Sequence, residues 1–401
     1  MAEWLEKTLG GVTSFITKGI APKYTEMENE DTIRVLNQKC NRNFEISYSE
    51  SRIHDCTQKK VPADKMLRAG DVLINSTGTG TAGRVAQMTA VTVPTTIDGH
   101  MILIRPSEEL DPIYYGYAVK AYQAQIECLA EGSTGQTEIN RQRLQDEIII
   151  RYPRDKAIQK SIGTFLANID EKLKTNTAIN ENLLQQAQTL FNAWFVDYKP
   201  FGGVQPSDWK SISVYDLAEY INGAAFKKHE YSDTGLPIIK IAELKNGITE
   251  STQHCCVEKD PKYYIKDRDI LFSWSGNPET SIDTFVWSMG YAILNQHTFR
   301  VVSKYEAPAF TFFLLKYLKP QFTHIASNKQ TTGLGHVTVT DLKRLQVCTN
   351  RQGIKKFNDL TMPIFEMIYS NCKECQELST LRDSLLPKLM SGEIDVSTLD
   401  I

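Results

Sequence analysis

A repeat constrains this chain more than any other feature. The stretch Gly70-Asp71-Val72-Leu73-Ile74-Asn75-Ser76-Thr77-Gly78 is echoed by Arg268-Asp269-Ile270-Leu271-Phe272-Ser273-Trp274-Ser275-Gly276, displaced by 198 positions. Further anchors follow in the same order: His100 with His297, Pro112 with Pro308, Thr134-Gly135 with Thr332-Gly333, and Leu144 with Leu342. One such match is weak. An ordered series at displacements of 196 to 198 implies two copies of one unit within the 401 residues. Whatever fold is proposed must be built twice.

Each copy ends in a long helical stretch. Lys156 to Tyr198 holds no glycine after Gly163 and no proline, and Leu166, Ile169, Leu173, Asn176, Asn180, Leu183, Ala187, Leu190 and Trp194 keep the 3,4 spacing of a heptad seam. At 1.5 Å per residue, some forty residues make a rod roughly 60 Å long, too long for the interior of one compact domain. It reads as a spacer that needs a partner helix. Lys355 to Met390 is the natural partner, with Leu360, Ile364, Met367, Ile368, Cys375, Leu378, Leu381, Leu385 and Leu389 at similar spacing. Pro363 lies near its start, while Pro387 and Gly392 mark its end. Leu183 aligns with Leu381 and Ala187 with Leu385, so the rods belong to the repeat. Two copies related by a pseudo-twofold axis would place their rods antiparallel as a coiled coil. Asn176 and Asn180 either set the register of this seam at a cost in stability or sit exposed where the helices splay.

The globular part of each copy reads as α/β. Extended apolar segments run over Thr32 to Leu36, Asp71 to Asn75, Val85 to Val93 and Met101 to Arg105, separated by Gly and Pro turn signals. Asp111-Pro112 and Ala307-Pro308 each open a helix with Pro in its first turn, and a final strand follows at Glu147 to Tyr152 or Leu345 to Cys348. The resulting organisation is an α/β domain over 1–153, a helix over 154–198, a Gly/Pro-rich linker over 199–207, a second α/β domain over 208–350, and a helix with a C-terminal tail over 351–401.

Composition narrows the class. A chain with 41% hydrophobic and 23% charged residues suits folded domains, and no apolar run is long enough for a signal peptide or membrane span. A cytoplasmic protein is expected. Eight cysteines are too sparse for a disulfide framework, so free thiols are expected. Neither His254-Cys255-Cys256 nor Cys372-Lys373-Glu374-Cys375 has the paired spacing of a zinc site, and no metal site is assigned. His54 and Cys56 read as structural.

Catalytic motifs are missing from the sequence. Gly78-Thr79-Gly80-Thr81-Ala82-Gly83 spells G-x-G-x-x-G, but Arg84 to Val93 suits a hairpin better than the helix a dinucleotide site requires. The second copy has Asn277-Pro278-Glu279-Thr280 there, which also lacks the second proline and the aromatic residue of an adenine methyltransferase tetrad. No Walker sequence, nucleophile elbow or H-E-x-x-H is present.

The order domain, rod, domain, rod, together with GDVLINSTGTGTAGR, GSTGQTEI and LRDSLLPKLMSGEI, resembles the specificity subunit of type I restriction-modification systems over essentially the whole chain. The resemblance implies that each globular copy is a target-recognition domain reading one half of a split DNA sequence, and that the paired rods set the distance between the halves. It implies a non-catalytic chain whose partners are double-stranded DNA, two methylation subunits and translocating endonuclease subunits. S-adenosylmethionine, ATP and Mg belong to those partners, and no cofactor is expected in this chain.

Charge bears on this reading. Residues 1–153 carry 17 Lys and Arg against 20 Asp and Glu, and 206–350 carry 16 against 15. A free-standing DNA clamp is usually far more basic, so phosphate affinity is expected to come largely from partners. Readout needs donors and acceptors on loops that enter the major groove. The candidates are Lys18, Lys39, Ser76, Thr77, Thr79, Arg84, Ser133, Thr134 and Gln136 in the first domain. In the second they are Lys227, Lys228, Trp274, Asn277, Lys329, Gln330, Thr331 and His336. His100 and His297 hold matched positions in apolar surroundings and are expected to be core histidines. Two alternatives stand beside this reading. One is a scaffold without DNA affinity, whose rods dock helical partners through Leu190, Phe191, Trp194 and Phe195. The other is a divergent fused methylase or nuclease.

Overall fold

The computed structural model describes residues 3–132, 137–330 and 333–394. Contacts divide the chain into two units, residues 1–171 with 380–401, and residues 172–379. Each unit therefore draws on both long helices.

The first unit is built on an antiparallel sheet with the strand order Thr13–Lys18, Met101–Pro106, Val72–Asn75, Val85–Gln87. Val72 to Asn75 is buried along its whole length. A strand covered on both faces reads as a continuous apolar run without alternation, and VLI is one. A second sheet places Thr32–Leu36 between Thr95–Ile97, which pairs parallel to it, and Arg52–Asp55. The helix Pro112–Ala121 starts where Asp111 accepts hydrogen bonds from the amides of Ile113 and Tyr114. It ends at Tyr122, and a separate helix, Gln123–Cys128, follows. Tyr114 and Tyr115 pack beneath the sheet against Ile102 and Ile104, and the core is closed by Ile162 and Leu166 of one long helix and Leu386, Leu389 and Met390 of the other. Each aliphatic chain of this kind contributes about 1.5 to 3 kcal/mol by leaving water. Asp170 and Arg382 tie the two helices together at 2.7 Å, with the Tyr117 hydroxyl donating to the other Asp170 oxygen.

The second unit repeats this plan. Its central sheet has the order Ala218–Asn222, Thr298–Ser303, Ile270–Ser273, Asp283–Val286, the same as in the first unit. Its second sheet again contains one parallel pair, Leu236–Ile239 with Ala292–Leu294. Both units are also laced by a strand pair that the sequence analysis only half foresaw: Trp4–Thr8 with Ile149–Pro153, and Lys210–Ser213 with Gln346–Thr349.

The long helices span Lys156–Phe195 and Arg351–Ser391. Within the second unit they run antiparallel, since Asn176 meets Glu374 while Trp194 meets Phe357. Asn176 and Glu374 are separated by the repeat displacement itself, 198. Equivalent residues touching each other is the contact that twofold-related copies make. Of the seam positions on the first helix, Leu166, Ile169, Asn176 and Ala187 are buried, while Leu173, Asn180, Leu183 and Leu190 are half-buried. Asn176 is 1% exposed and donates to Glu374 Oε2 at 2.6 Å, and Asn180 accepts from Asn371 at 2.8 Å. Both asparagines are satisfied within the helix pair.

Two expectations are corrected. The second helix starts at Arg351, at the expected domain boundary, but its inward face is only partly the predicted one. Of the predicted seam, Ile368 and Leu389 are buried but Leu360, Met367 and Leu381 are exposed, Leu381 by 44%, whereas Ile354, Phe357, Phe365 and Tyr369, outside that seam, are buried. The side chains with the most surface to hide set the rotation of the helix, and the aromatic ones outweigh a heptad of Leu and Met. Leu378 and Leu385 are half-buried, and the helix passes through Pro363 and Pro387 on its exposed side. Phe191, Trp194 and Phe195 are not a docking surface. Phe191 and Phe195 are buried in the second unit's core, with Phe195 centred 5.1 Å from Phe357 and 5.6 Å from Trp209, and Trp194 packs edge-on to Phe201 and Phe357. The linker over 199–207 is anchored at Phe201, whose ring lies 4.9 Å from that of Trp209.

Candidate nucleic-acid interface

In each unit, four segments meet at one end of the central sheet. In the first they are Lys18-Gly19 at a strand end, the turn after Asn75, the turn Asp98 to His100, and the segment from Thr137 to Asn140. The Ser76 carbonyl accepts from the Ile139 amide at 2.8 Å, and Ser76 donates its own amide to the His100 carbonyl at 2.9 Å. Thr77 Oγ1 lies 2.9 Å from His100 Nδ1 and 3.3 Å from Gln38 Oε1. Lys18 is ion-paired with Glu138. Gly78 to Gly83 forms a tight turn into the strand Val85–Gln87, not a helix, so the glycine pattern makes no phosphate cradle. Gly83 has φ +90 and abuts the Glu127 backbone, which explains the glycine by packing alone.

The second unit brings the equivalent positions together. The Trp274 carbonyl accepts from the Val337 amide at 2.8 Å, its indole N–H donates to Asn222 Oδ1 at 3.2 Å, and its ring lies 5.8 Å from that of His297. Ser275 pairs with His336 across a short antiparallel bridge. Phe226, Tyr231, Lys240 and His297 line a cavity of about 370 Å³ beside them. Lys240 stands 5.2 Å over the Tyr231 ring.

The predicted readers separate into groups. Lys18, Thr77 and Arg84 stand at the loop cluster, with Arg84 donating to the Gly80 carbonyl at 3.0 Å, and Thr79 is exposed beside them. Lys39 is exposed next to Gln38, and Lys227 and Lys228 are exposed on the turn leading to Tyr231. Trp274 and His336 are in the cluster, and Gln330 is exposed at a helix end. Ser133, Thr134, Gln136 and Thr331 lie outside the described residues.

One candidate is hidden, and two are engaged in local bonds. Ser76 is fully buried one residue beyond the strand Val72–Asn75, where its amide and carbonyl bond to His100 and Ile139. Asn277 spends its side-chain oxygen capping the short helix Pro278–Ser281, accepting from Glu279 and Thr280 at 3.1 Å each. Lys329 is ion-paired with the buried Asp341, whose carboxylate also closes a capping box with Thr338. Burial pushes the Asp341 carboxyl up, but the bonds from Lys329 and Thr338 outweigh it and hold it below the ordinary aspartate range. The expectation for His100 and His297 fails in the opposite direction, since both are exposed at the cluster. Their apolar neighbours belong to the strands on either side, Thr95–Ile97 and Met101–Pro106 or Ala292–Leu294 and Thr298–Ser303, while the histidines sit in the turn between, and local sequence does not say where a strand leaves the core.

Among the described residues, no group of His, Cys, Asp or Glu is arranged to hold a metal, and no helix is long and apolar enough to cross a membrane. The two α/β copies coincide with two matches to one family, described as the type I restriction modification DNA specificity domain, over residues 1–185 and 206–349. The chain belongs to this family. Its relatives include the specificity subunit of type I restriction enzyme MjaIX from Methanocaldococcus jannaschii, 27% identical over 307 residues covering 72% of this chain and 69% of that one. The specificity subunit of HindI from Haemophilus influenzae is 22% identical over 316 residues, covering 60% of this chain and 68% of that one. A crystal structure of a type I restriction-modification S subunit from M. genitalium covers 97% of this chain and 96% of that one, with a TM-score of 0.58 at 17% identity, a likeness of fold. As a type I specificity subunit the chain serves DNA target recognition, and the chemistry of the system lies outside it.

Proposed function

We propose that each α/β unit reads one half of a bipartite DNA target through the loop cluster at the end of its central sheet, and that the helix pair sets the spacing between the halves. The observation that carries this is the coincidence of the family's two matched segments with two units that build the same loop cluster. Helices of 40 and 41 residues supply rigid length, about 60 Å at the usual rise. Reading two half-sites needs groove faces about one helical turn apart, roughly 34 Å, so a spacer of this order spans more than one turn.

In this reading the chain assembles with two methylation subunits, and with translocating endonuclease subunits for cleavage, in the cytoplasm. S-adenosylmethionine, ATP and Mg act in those subunits. The near-neutral charge of both domains supports a division of labour in which partners supply most of the phosphate affinity. The test is adenine methylation read base by base across the host genome, with the gene present, deleted, and carrying a related protein's segment in place of residues 1–153. Deletion is expected to abolish methylation at one split motif, and the exchange to change one half of that motif. Altered bases in both halves would refute the division of labour.

A further inference from the structure

The duplication separates what the two readers do differently from what they do alike. At the loop cluster solvent-facing side chains have diverged: Asn222 stands at the equivalent of Lys18, and His336 at that of Glu138. Domains that read different bases should differ there. One substructure has not diverged. The strand-end amide of Gly19 donates to the Met101 carbonyl at 3.1 Å, and that of Gly223 to the Thr298 carbonyl at 3.1 Å. The next amide, of Ile20 or Ala224, donates to the Ile97 or Leu294 carbonyl at 2.9 and 2.8 Å. The Asp98 or Asn295 side-chain oxygen then accepts from the His100 or His297 amide, at 2.9 and 3.4 Å. This turn carries an exposed histidine outward in each copy. The close approach requires glycine, since a Cβ on Gly19 would stand 2.0 Å from the Asp98 carbonyl oxygen and one on Gly223 2.3 Å from that of Asn295.

A histidine kept on a turn with the same glycine contact and the same backbone hydrogen bonds, among side chains that have diverged, suits a ligand feature common to both half-sites. In a duplex that feature is the phosphate backbone, which positions a protein without carrying sequence. We propose that His100 and His297 are equivalent phosphate anchors, each donating an imidazole N–H to the backbone of its half-site while the diverged side chains beside it read bases. In the first unit the Thr77 hydroxyl engages Nδ1, so Nε2 is the nitrogen offered to the phosphate. In the second the Trp274 ring flanks the imidazole. Domains with so little net positive charge depend on placed donors of this kind.

This inference rests on the proposed DNA reading, and the experiment keeps the two apart. The chain is assembled with its methylation subunits, and affinity is measured for a duplex bearing the methylated motif and for a scrambled duplex of the same length. His100→Ala and His297→Ala are each expected to weaken both duplexes by the same factor, roughly tenfold for one lost charge-assisted bond. The methylated motif should stay unchanged. His100→Arg and His297→Arg are expected to restore affinity with a steeper salt dependence, a rescue that a merely structural role would not show. A changed motif would make these histidines base readers and overturn the proposal, and so would unchanged affinity for both duplexes. If the wild-type assembly does not distinguish the two duplexes, the DNA reading itself has failed, and this inference with it.

Discussion

The two α/β units share a sheet order and a histidine seat, yet they solve the same packing problems with different side chains. Position 389 in one copy is position 191 in the other: Leu389 seals the first unit's core, and Phe191 seals the second's. Position 341 in the second copy holds a buried aspartate that caps its helix, whereas the equivalent Arg143 is tied at the surface to Glu131 and Glu147. The difference teaches that the repeat preserves backbone paths and burial, not chemistry. What a position hides is inherited, and what it bonds is renegotiated.

That comparison can be broken most directly in the cores. Phe191→Ala is expected to cost about 4 kcal/mol and Leu389→Ala about 3 kcal/mol, measured by denaturant unfolding. If Phe191 were a partner-docking residue, its loss would leave stability unchanged and weaken assembly instead. Next come the histidine seats. Gly19→Ala and Gly223→Ala should each cost about 3 kcal/mol, because the clash is with backbone that has no room to retreat. Unequal costs would show that the two seats are not equivalent.

The capping position sharpens the comparison with smaller effects. Asp341→Ala is expected to cost about 2 kcal/mol, through the lost cap and the unpaired Lys329. The folded pKa of Asp341 is lowered, so its contribution is present above the unfolded value of 3.8 and is lost as pH falls below it. The gap between wild type and variant should therefore close below about pH 4. Arg143→Ala should leave unfolding stability nearly unchanged, because its ion pairs stand in water. A larger loss there would mean that the first unit, too, leans on this position.

Much of the architecture was legible before any coordinates. The ordered anchors gave two copies, the proline-free stretch gave the first long helix to within three residues of its end, and the Pro-opened helices began where Asp111 and Ala307 predicted. The phase of the second helix was not legible. Leu360, Met367 and Leu381 mimic a seam, and only the aromatic side chains packed beneath show that the helix is rotated away from them. Among site residues, Ser76, Asn277 and Lys329 carry the right functional groups for DNA, and the fold employs or hides each of them elsewhere. His100 and His297 were misplaced although the sequence carried the signal. A Gly at a strand end and an Asx two residues before His occur in both copies.

The sequence by itself determined that the chain is built twice, that each copy is α/β with a rod, and that no catalytic motif is present, because spacing and periodicity are local and survive without coordinates. The tertiary structure decided which side chains reach solvent. Burial is a contest among all the surfaces that compete for one core, and only the packed chain shows that Phe191 and Phe195 win that contest while His100 and His297 are left facing outward.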